Sequence, residues 1–144
     1  MKRTIFILLL LLSASQFIYA QGGKPKAKSA PDNVTGHYTL RNSSAENTLD
    51  ALLLPDGKVK VYLYASWIGS VPGAVNNGEI KTTLGLKNRV AVYESGQCKI
   101  TIRFAGNRAI VKQTGSSIVC DFGLNVSADG TYSKRNSRKP KFDF

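Results

Sequence analysis

Apolar and polar residues alternate through the body of the chain with a period of two. Residues 98–104 (CKITIRF) place four apolar side chains on one face and Lys99, Thr101 and Arg103 on the other. Residues 58–67 (KVKVYLYASW) alternate in the same way. A period of two is typical of a half-buried β-strand, whereas an amphipathic helix repeats every 3.6 residues. The body is therefore expected to fold from strands.

Turn-forming sequences divide the body into eight or nine such segments. Strands are predicted over residues 36–42, 49–54, 58–67, 79–86, 89–94, 98–104, 108–114, 118–126 and 130–134. Residues 68–78, which include the turn sequence NNG, are expected to form a long loop. This spacing favours an all-β fold, namely a small antiparallel up-and-down barrel of about eight strands and lipocalin-like size. A two-sheet sandwich is the alternative.

Two similar tetrapeptides stand at opposite ends of the body, TGHY at 35–38 and DGTY at 129–132. The similarity suggests that the first and last strands pair with each other. Such pairing closes the sheet and removes its exposed edges.

Residues 1–20 have the features of a secretory signal peptide. Lys2 and Arg3 precede an apolar run over residues 5–12, and Ala20 is a small residue at the expected cleavage position. The apolar run is about half the roughly 20 residues that a bilayer span requires. The chain is therefore expected to divide into a signal peptide (1–20), a flexible basic leader (21–33), a β-barrel domain (34–134) and a basic tail (135–144). The predicted location is periplasmic or secreted.

The positive charge lies mainly in the two tails. Loss of the signal peptide lowers the formal charge from +11 to +9, of which residues 32–133 carry only +2. The C-terminal bases are Lys134, Arg135, Arg138, Lys139 and Lys141. Outside the cell, such a tail suits an anionic lipid or an acidic wall polymer, so a nucleic-acid partner is not expected. Phe142 and Phe144 are candidates for docking on the body or on a partner.

Cys98 and Cys120 are the two cysteines of the chain. Export to an oxidising compartment predicts a disulfide between them. The closed loop of about twenty residues would contribute on the order of 3 kcal/mol of stability. The sequence has no C-x-x-C motif, so a redox role is disfavoured.

Catalytic residues, a metal site and a cofactor are not predicted. One histidine and two cysteines cannot supply most metal-ligand sets. His37 shares a strand face with Thr39 and Arg41 and is expected to be a surface residue rather than a general base. The acids Glu79 and Glu94 could be paired only by the fold. The protein is expected to be a monomer and not an enzyme.

The aromatic residues of one strand are the best candidates for a binding surface. Tyr62 and Tyr64 share a face with Lys58 and Lys60, and Trp67 follows closely. Such a surface could hold a glycan, a peptide or an anionic ligand. Ordinary cross-strand packing is the alternative. The opposite face of the strand would line a barrel interior that is either packed or holds one small ligand.

The segment from Cys120 to Tyr132 (CDFGLNVSADGTY) resembles the C-terminal signature C-x-F-G-x-N-V-x-x-x-G-x-Y of small secreted bacterial β-barrel proteins. Residues 36–38 (GHY) and 98–101 (CKIT) are similar to further parts of that pattern. Some members of the family carry an added Cys-rich domain of a lysozyme-inhibitor type, which this chain lacks. The resemblance implies a compact β domain and assigns no catalytic residues.

Together these observations predict a non-enzymatic binding module for a protein or an envelope polymer. Two alternatives remain, a lipocalin-like carrier of a small apolar ligand and an inhibitor of a cell-wall hydrolase. The positive charge speaks against inhibition of a basic lysozyme, because like charges disfavour association.

Overall fold

The computed structural model describes residues 34–71 and 73–144, so the predicted signal peptide and leader lie outside the described residues. Eight antiparallel strands follow one another around a closed barrel. The strands are β1 (Gly36–Arg41), β2 (Glu46–Leu53), β3 (Lys58–Ile68), β4 (Val75–Lys87), β5 (Val90–Ser95), β6 (Cys98–Ala105), β7 (Arg108–Thr114) and β8 (Gly130–Asn136). The predicted up-and-down barrel is confirmed. In the described part of the chain, no helix has the length and apolar character needed to cross a membrane.

Strands β1 and β8 close the barrel, as the two similar tetrapeptides predicted. The Tyr38 hydroxyl donates to the carbonyl of Val34 at 2.7 Å, and the Tyr132 hydroxyl donates to the carbonyl of Ala128 at 2.8 Å. Both tyrosine rings are fully buried. Each tyrosine therefore fastens the turn that leads into its own strand.

A glycine precedes each of these tyrosines and allows the partner strand to approach closely. Gly36 and Gly130 have φ angles of +153° and +145°, which L side chains rarely adopt. A Cβ on Gly36 would lie 2.3 Å from the carbonyl oxygen of Asn136, and one on Gly130 would lie 2.1 Å from the Leu40 side chain. Glycine at both positions is thus a condition for closure.

Side chains fill the barrel interior. Inward positions that the alternation predicted are almost completely buried, including Val59, Val61, Leu63, Ile100, Ile102 and Phe104. The structure adds Leu49, Ala51, Ala109 and Val111 to this buried set. A ligand carried inside the barrel would have to displace these side chains. The packed interior therefore favours binding at the outer surface or at the rims.

The predicted strand over residues 118–126 is wrong. Residues Ile118–Cys120 form a short 3₁₀ turn, and Asp121 and Asn125 have left-handed φ angles of 56° and 64°. Two left-handed residues so close together interrupt an extended strand. The buried side chains of Phe122 and Val126 give the segment its strand-like pattern because they pack onto the end of the barrel.

The whole connection from β7 to β8, residues 115–129, acts as a plug at one end of the barrel. Strands β4 and β5 pair only through Leu86–Ala91 and Lys87–Val90, so the longer β4 extends beyond this pairing. The plug bonds to β4 there, through Gly123 N–H and the carbonyl of Asn77 at 3.0 Å. The predicted Cys98–Cys120 disulfide is confirmed and ties the plug to β6.

The predicted loop over residues 68–78 is shorter than expected. Strand β4 begins at Val75, so Asn76, Asn77 and Gly78 pair with β3 instead of forming a turn. A Cβ on Gly78 would lie 2.2 Å from the ring of Phe122. This glycine makes room for the plug, which explains a glycine within a strand.

The two ends of the barrel differ, since one holds the plug and the other holds the C-terminal bases. The plugged end comprises residues 41–46, 68–71, 73–75, 95–98 and 114–130, and the basic end comprises residues 54–58, 87–89, 106–108 and 134–144. Connections alternate between the ends because each strand reverses the direction of the previous one. Residues distant in sequence therefore meet at each end.

Removal of either buried tyrosine hydroxyl is expected to destabilise the barrel. Tyr38→Phe and Tyr132→Phe each leave a buried carbonyl without its donor, at a cost of about 1–3 kcal/mol. Urea unfolding measures the change in the free energy of unfolding. Tyr64→Phe is the matched control, because the Tyr64 ring is half-buried on the outer surface. Equal stability of all three variants would contradict this role of the tyrosines.

Candidate functional site

The outer surface of β3 carries four of the five residues predicted as a binding surface. Lys58, Lys60, Tyr62 and Tyr64 alternate with the buried inner row of the strand. Trp67 belongs to the inner row and packs against the core at the plugged end. The structure therefore separates Trp67 from the tyrosine pair.

Tyr62 is held by neighbours on β4. Its hydroxyl donates to Glu79 Oε2 at 2.9 Å, and Lys81 Nζ lies 5.3 Å from the centre of its ring. Burial raises the pKa of Tyr62 to about 12, with the Glu79 carboxylate adding to the effect. The Lys81 ammonium, 3.0 Å from Glu79, and the Tyr62 hydroxyl lower the pKa of that carboxyl. Tyr62 is thus engaged in cross-strand packing, the alternative considered for this surface.

The C-terminal residues lie against β3. Lys60 Nζ donates to the main-chain oxygen of Phe144 and lies 4.3 Å from the centre of the Phe144 ring. Phe142 and Phe144 meet edge to face with their centres 5.3 Å apart. The two phenylalanines therefore dock on the body of the protein, which is one of the two possibilities predicted for them.

The histidine and the two candidate acids each pair with a neighbouring side chain. His37 Nδ1 lies 2.6 Å from Asp50 Oδ1 on the outer surface. Glu79 pairs with Lys81, and Glu94 pairs with Lys99 at 2.7 Å. Among residues 34–71 and 73–144, no three His, Cys, Asp or Glu side chains come together in a metal-binding arrangement.

Positive charge is concentrated at the basic end. Most of the C-terminal bases join others from three turns, and the full set is Lys58, Lys87, Arg89, Arg108, Lys134, Arg138, Lys139 and Lys141. Arg135 is not part of it, because its side chain bonds Thr39 Oγ1 and lies beside Arg41 and Glu46. The acids of this end are Asp56 and Asp143, and Asp56 Oδ2 lies 3.1 Å from Lys58 Nζ. Burial lowers the pKa of Lys134, whose ammonium lies 5.2 Å from the centre of the Tyr38 ring. The fold thus extends the predicted basic tail into a larger surface.

The plugged end has the opposite character. Arg41 of its first loop is paired with Glu46, and the side chain of Arg135 extends from β8 toward this pair. Exposed apolar side chains project from its loops, namely Ile68, Val71, Val75, Ile118, Val119 and Leu124. Charge and apolar surface are therefore segregated to opposite ends of the barrel.

The plugged end also contains a pocket that sequence reasoning missed. This mouth pocket has a volume of about 190 Å³, and its lining combines Trp67 with Asn42, Ser44, Asn125, Ser127 and Asp129. These residues come from three separate segments of the chain. Of these residues, Trp67 was among the predicted binding residues, and it is the one tryptophan of the chain.

The residues of the C-terminal signature have definable structural roles. Cys120 forms the disulfide, Phe122 and Val126 are buried, and Tyr132 fastens β8. Comparisons of the chain with protein-family models, curated proteins and solved structures found no match. Membership of the family that the signature resembles therefore stays a prediction.

Removal of the Glu79 charge is expected to lower the pKa of Tyr62. In Glu79→Gln the pKa should fall below about 12 yet stay above the ordinary value of about 10, because burial is the largest cause of the shift. The ring-carbon chemical shift of Tyr62 in an NMR titration measures it. Glu94→Gln is the control, since Glu94 pairs with Lys99 and should leave Tyr62 unchanged. An identical Tyr62 titration in wild type and Glu79→Gln would contradict the coupling.

Proposed function

We propose that this protein is a non-enzymatic extracytoplasmic binding module whose basic end engages an anionic envelope polymer. The observation that carries the proposal is the concentration of eight bases against two acids at that end. Clustered charge attracts a polyanion more strongly than the same charge spread over the molecule, because salt at physiological concentration screens a charge beyond about 8 Å.

The neutralisation of acids elsewhere sharpens this contrast. Outside the basic end, Glu46, Glu79 and Glu94 each have an arginine or lysine partner on the same or a neighbouring strand. These pairs offset three of the bases on the rest of the barrel. At the basic end, in contrast, the bases outnumber the acids by four to one.

An envelope polymer fits better than a nucleic acid because the N-terminal sequence predicts export. The Cys98–Cys120 disulfide supports this choice, since disulfides persist in oxidising compartments outside the cytoplasm. Phosphate or carboxylate groups repeated along a polymer would meet several lysines and arginines at once. The interaction is then multivalent and strongly dependent on salt.

Binding to purified anionic polymers tests the proposal. Lipopolysaccharide, wall teichoic acid and phosphatidylglycerol vesicles serve as separate probes, with neutral phosphatidylcholine vesicles as the uncharged comparison. The double variant Arg138→Ser/Lys139→Ser should weaken binding about 30-fold, since each base near an anionic surface contributes about 1 kcal/mol. The dependence of affinity on salt should become shallower as well.

Lys99→Ser/Lys112→Ser is the matched control, because it removes the same charge from β6 and β7 outside the basic end. This variant should bind almost as wild type does. Equal loss in both double variants would mean that only net charge matters. That result, or a lack of binding to every anionic probe, would overturn the proposal.

A further inference from the structure

The mouth pocket combines an aromatic ring with polar groups, of which one, Asp129, is a carboxylate. Trp67 lies at its side, and a Cβ on Gly69 would come within 2.9 Å of the indole ring. Glycine at position 69 therefore lets the ring settle against the β3–β4 loop. An indole held in this way offers a flat apolar surface at small cost in conformational entropy.

Polar groups around the ring retain hydrogen-bonding capacity. Asn42 Oδ1 accepts from the backbone N–H of Ser44 at 2.9 Å, which directs the remaining donor capacity of this side chain to its Nδ2 group. Asp129 Oδ1 accepts from the N–H of Gln113 at 2.6 Å, and its second oxygen is a further acceptor. Asn125 adds a side-chain amide from a left-handed turn position. Donors and acceptors thus stand close together.

A buried asparagine fixes the walls of the pocket relative to each other. The side chain of Asn47 is 1% exposed; its Nδ2 donates to the carbonyl of Ser127 at 2.8 Å, and its Oδ1 accepts from the N–H of Ser66 at 2.9 Å. One residue of β2 therefore connects β3 to the plug. Groups on Asn125 and Asp129 are held in register with Trp67, which lowers the cost of ordering them around a ligand.

We infer that the mouth pocket is a binding site for one neutral sugar residue. The hydroxyl groups of a sugar both donate and accept hydrogen bonds, which suits the mixed amide, hydroxyl and carboxylate lining, and its C–H face suits the indole. The lining contains no lysine or arginine and one carboxylate, so it disfavours anionic ligands. A volume of about 190 Å³ is below the ~300 Å³ of pockets for drug-sized ligands and suits a single ring. This site lies at the end opposite to the proposed polymer-binding surface and does not depend on it.

The single tryptophan makes the test direct, because the intrinsic fluorescence of Trp67 reports on this pocket alone. The purified protein is titrated with glucose, galactose, mannose and N-acetylglucosamine, and saturation-transfer NMR of each sugar follows the same binding independently. A dissociation constant of about 1 mM is expected for a ligand of roughly a dozen non-hydrogen atoms. Galacturonate, which carries a carboxylate on the galactose ring, should bind more weakly than galactose.

Two variants remove one pocket group each while keeping the backbone. Asn42→Asp retains the acceptor of the Ser44 turn, and Asn125→Gly suits a φ of 64°. Each should weaken sugar binding about fivefold, the effect of one lost hydrogen bond. Arg138→Ser/Lys139→Ser should leave it unchanged. Absence of saturable binding by both methods for all four neutral sugars, or equal affinity in the pocket variants, would overturn the inference.

Discussion

Closure of the barrel by β1 and β8 is the constraint on which the other features depend. The two segments that contain Gly36 and Gly130 are related by the antiparallel pairing of these strands. Each glycine lets the start of its own strand lie against the end of the other. Each tyrosine then bonds four residues back and fixes the chain that enters the strand. One short pattern, used twice, thus secures both ends of the seam.

Because the barrel is closed and its interior is packed, a functional site is expected on its surface. The inner positions are occupied by side chains, so chemistry must lie on the outer wall or at the two ends. Several polar side chains of the outer wall already have partners within the protein. Tyr62 and Lys81 both contact Glu79, and His37 contacts Asp50. The surfaces that remain available for a ligand or partner lie at the two ends of the barrel. Both proposed sites therefore lie at the ends of the barrel rather than on the predicted tyrosine surface.

Alternation and turn residues predicted much of this fold, since they report directly on which face of a strand is buried. The barrel followed from those signals, its closure followed from the two similar tetrapeptides, and the Cys98–Cys120 disulfide followed from the two cysteines and the predicted export. The same signals failed at residues 118–126, where Phe122 and Val126 are buried by a plug rather than by a sheet. Apolar spacing reveals burial, whereas the left-handed angles at Asp121 and Asn125 are not visible in it.

The sequence alone indicates that Trp67 lies on the opposite face of the strand from Tyr62 and Tyr64, because residues an odd number of positions apart in a strand face opposite sides. The mouth pocket could not be predicted from such a pattern. Its position depends on Asn47, which connects β3 to Ser127, 80 residues further along the chain than itself. A local pattern carries no information about such a contact.

The distribution of charge shows a further property of up-and-down barrels. A count along the chain gives residues 32–133 only +2, which suggests a neutral body with basic tails. Successive connections alternate between the two ends, so Lys87, Arg89 and Arg108 arrive at the same end as the C-terminal bases. The acids that balance them in the count are held elsewhere, such as Glu79 and Glu94 beside lysines of the wall. Charge must therefore be summed by barrel end, since an approaching polymer meets one end and not the average of the chain.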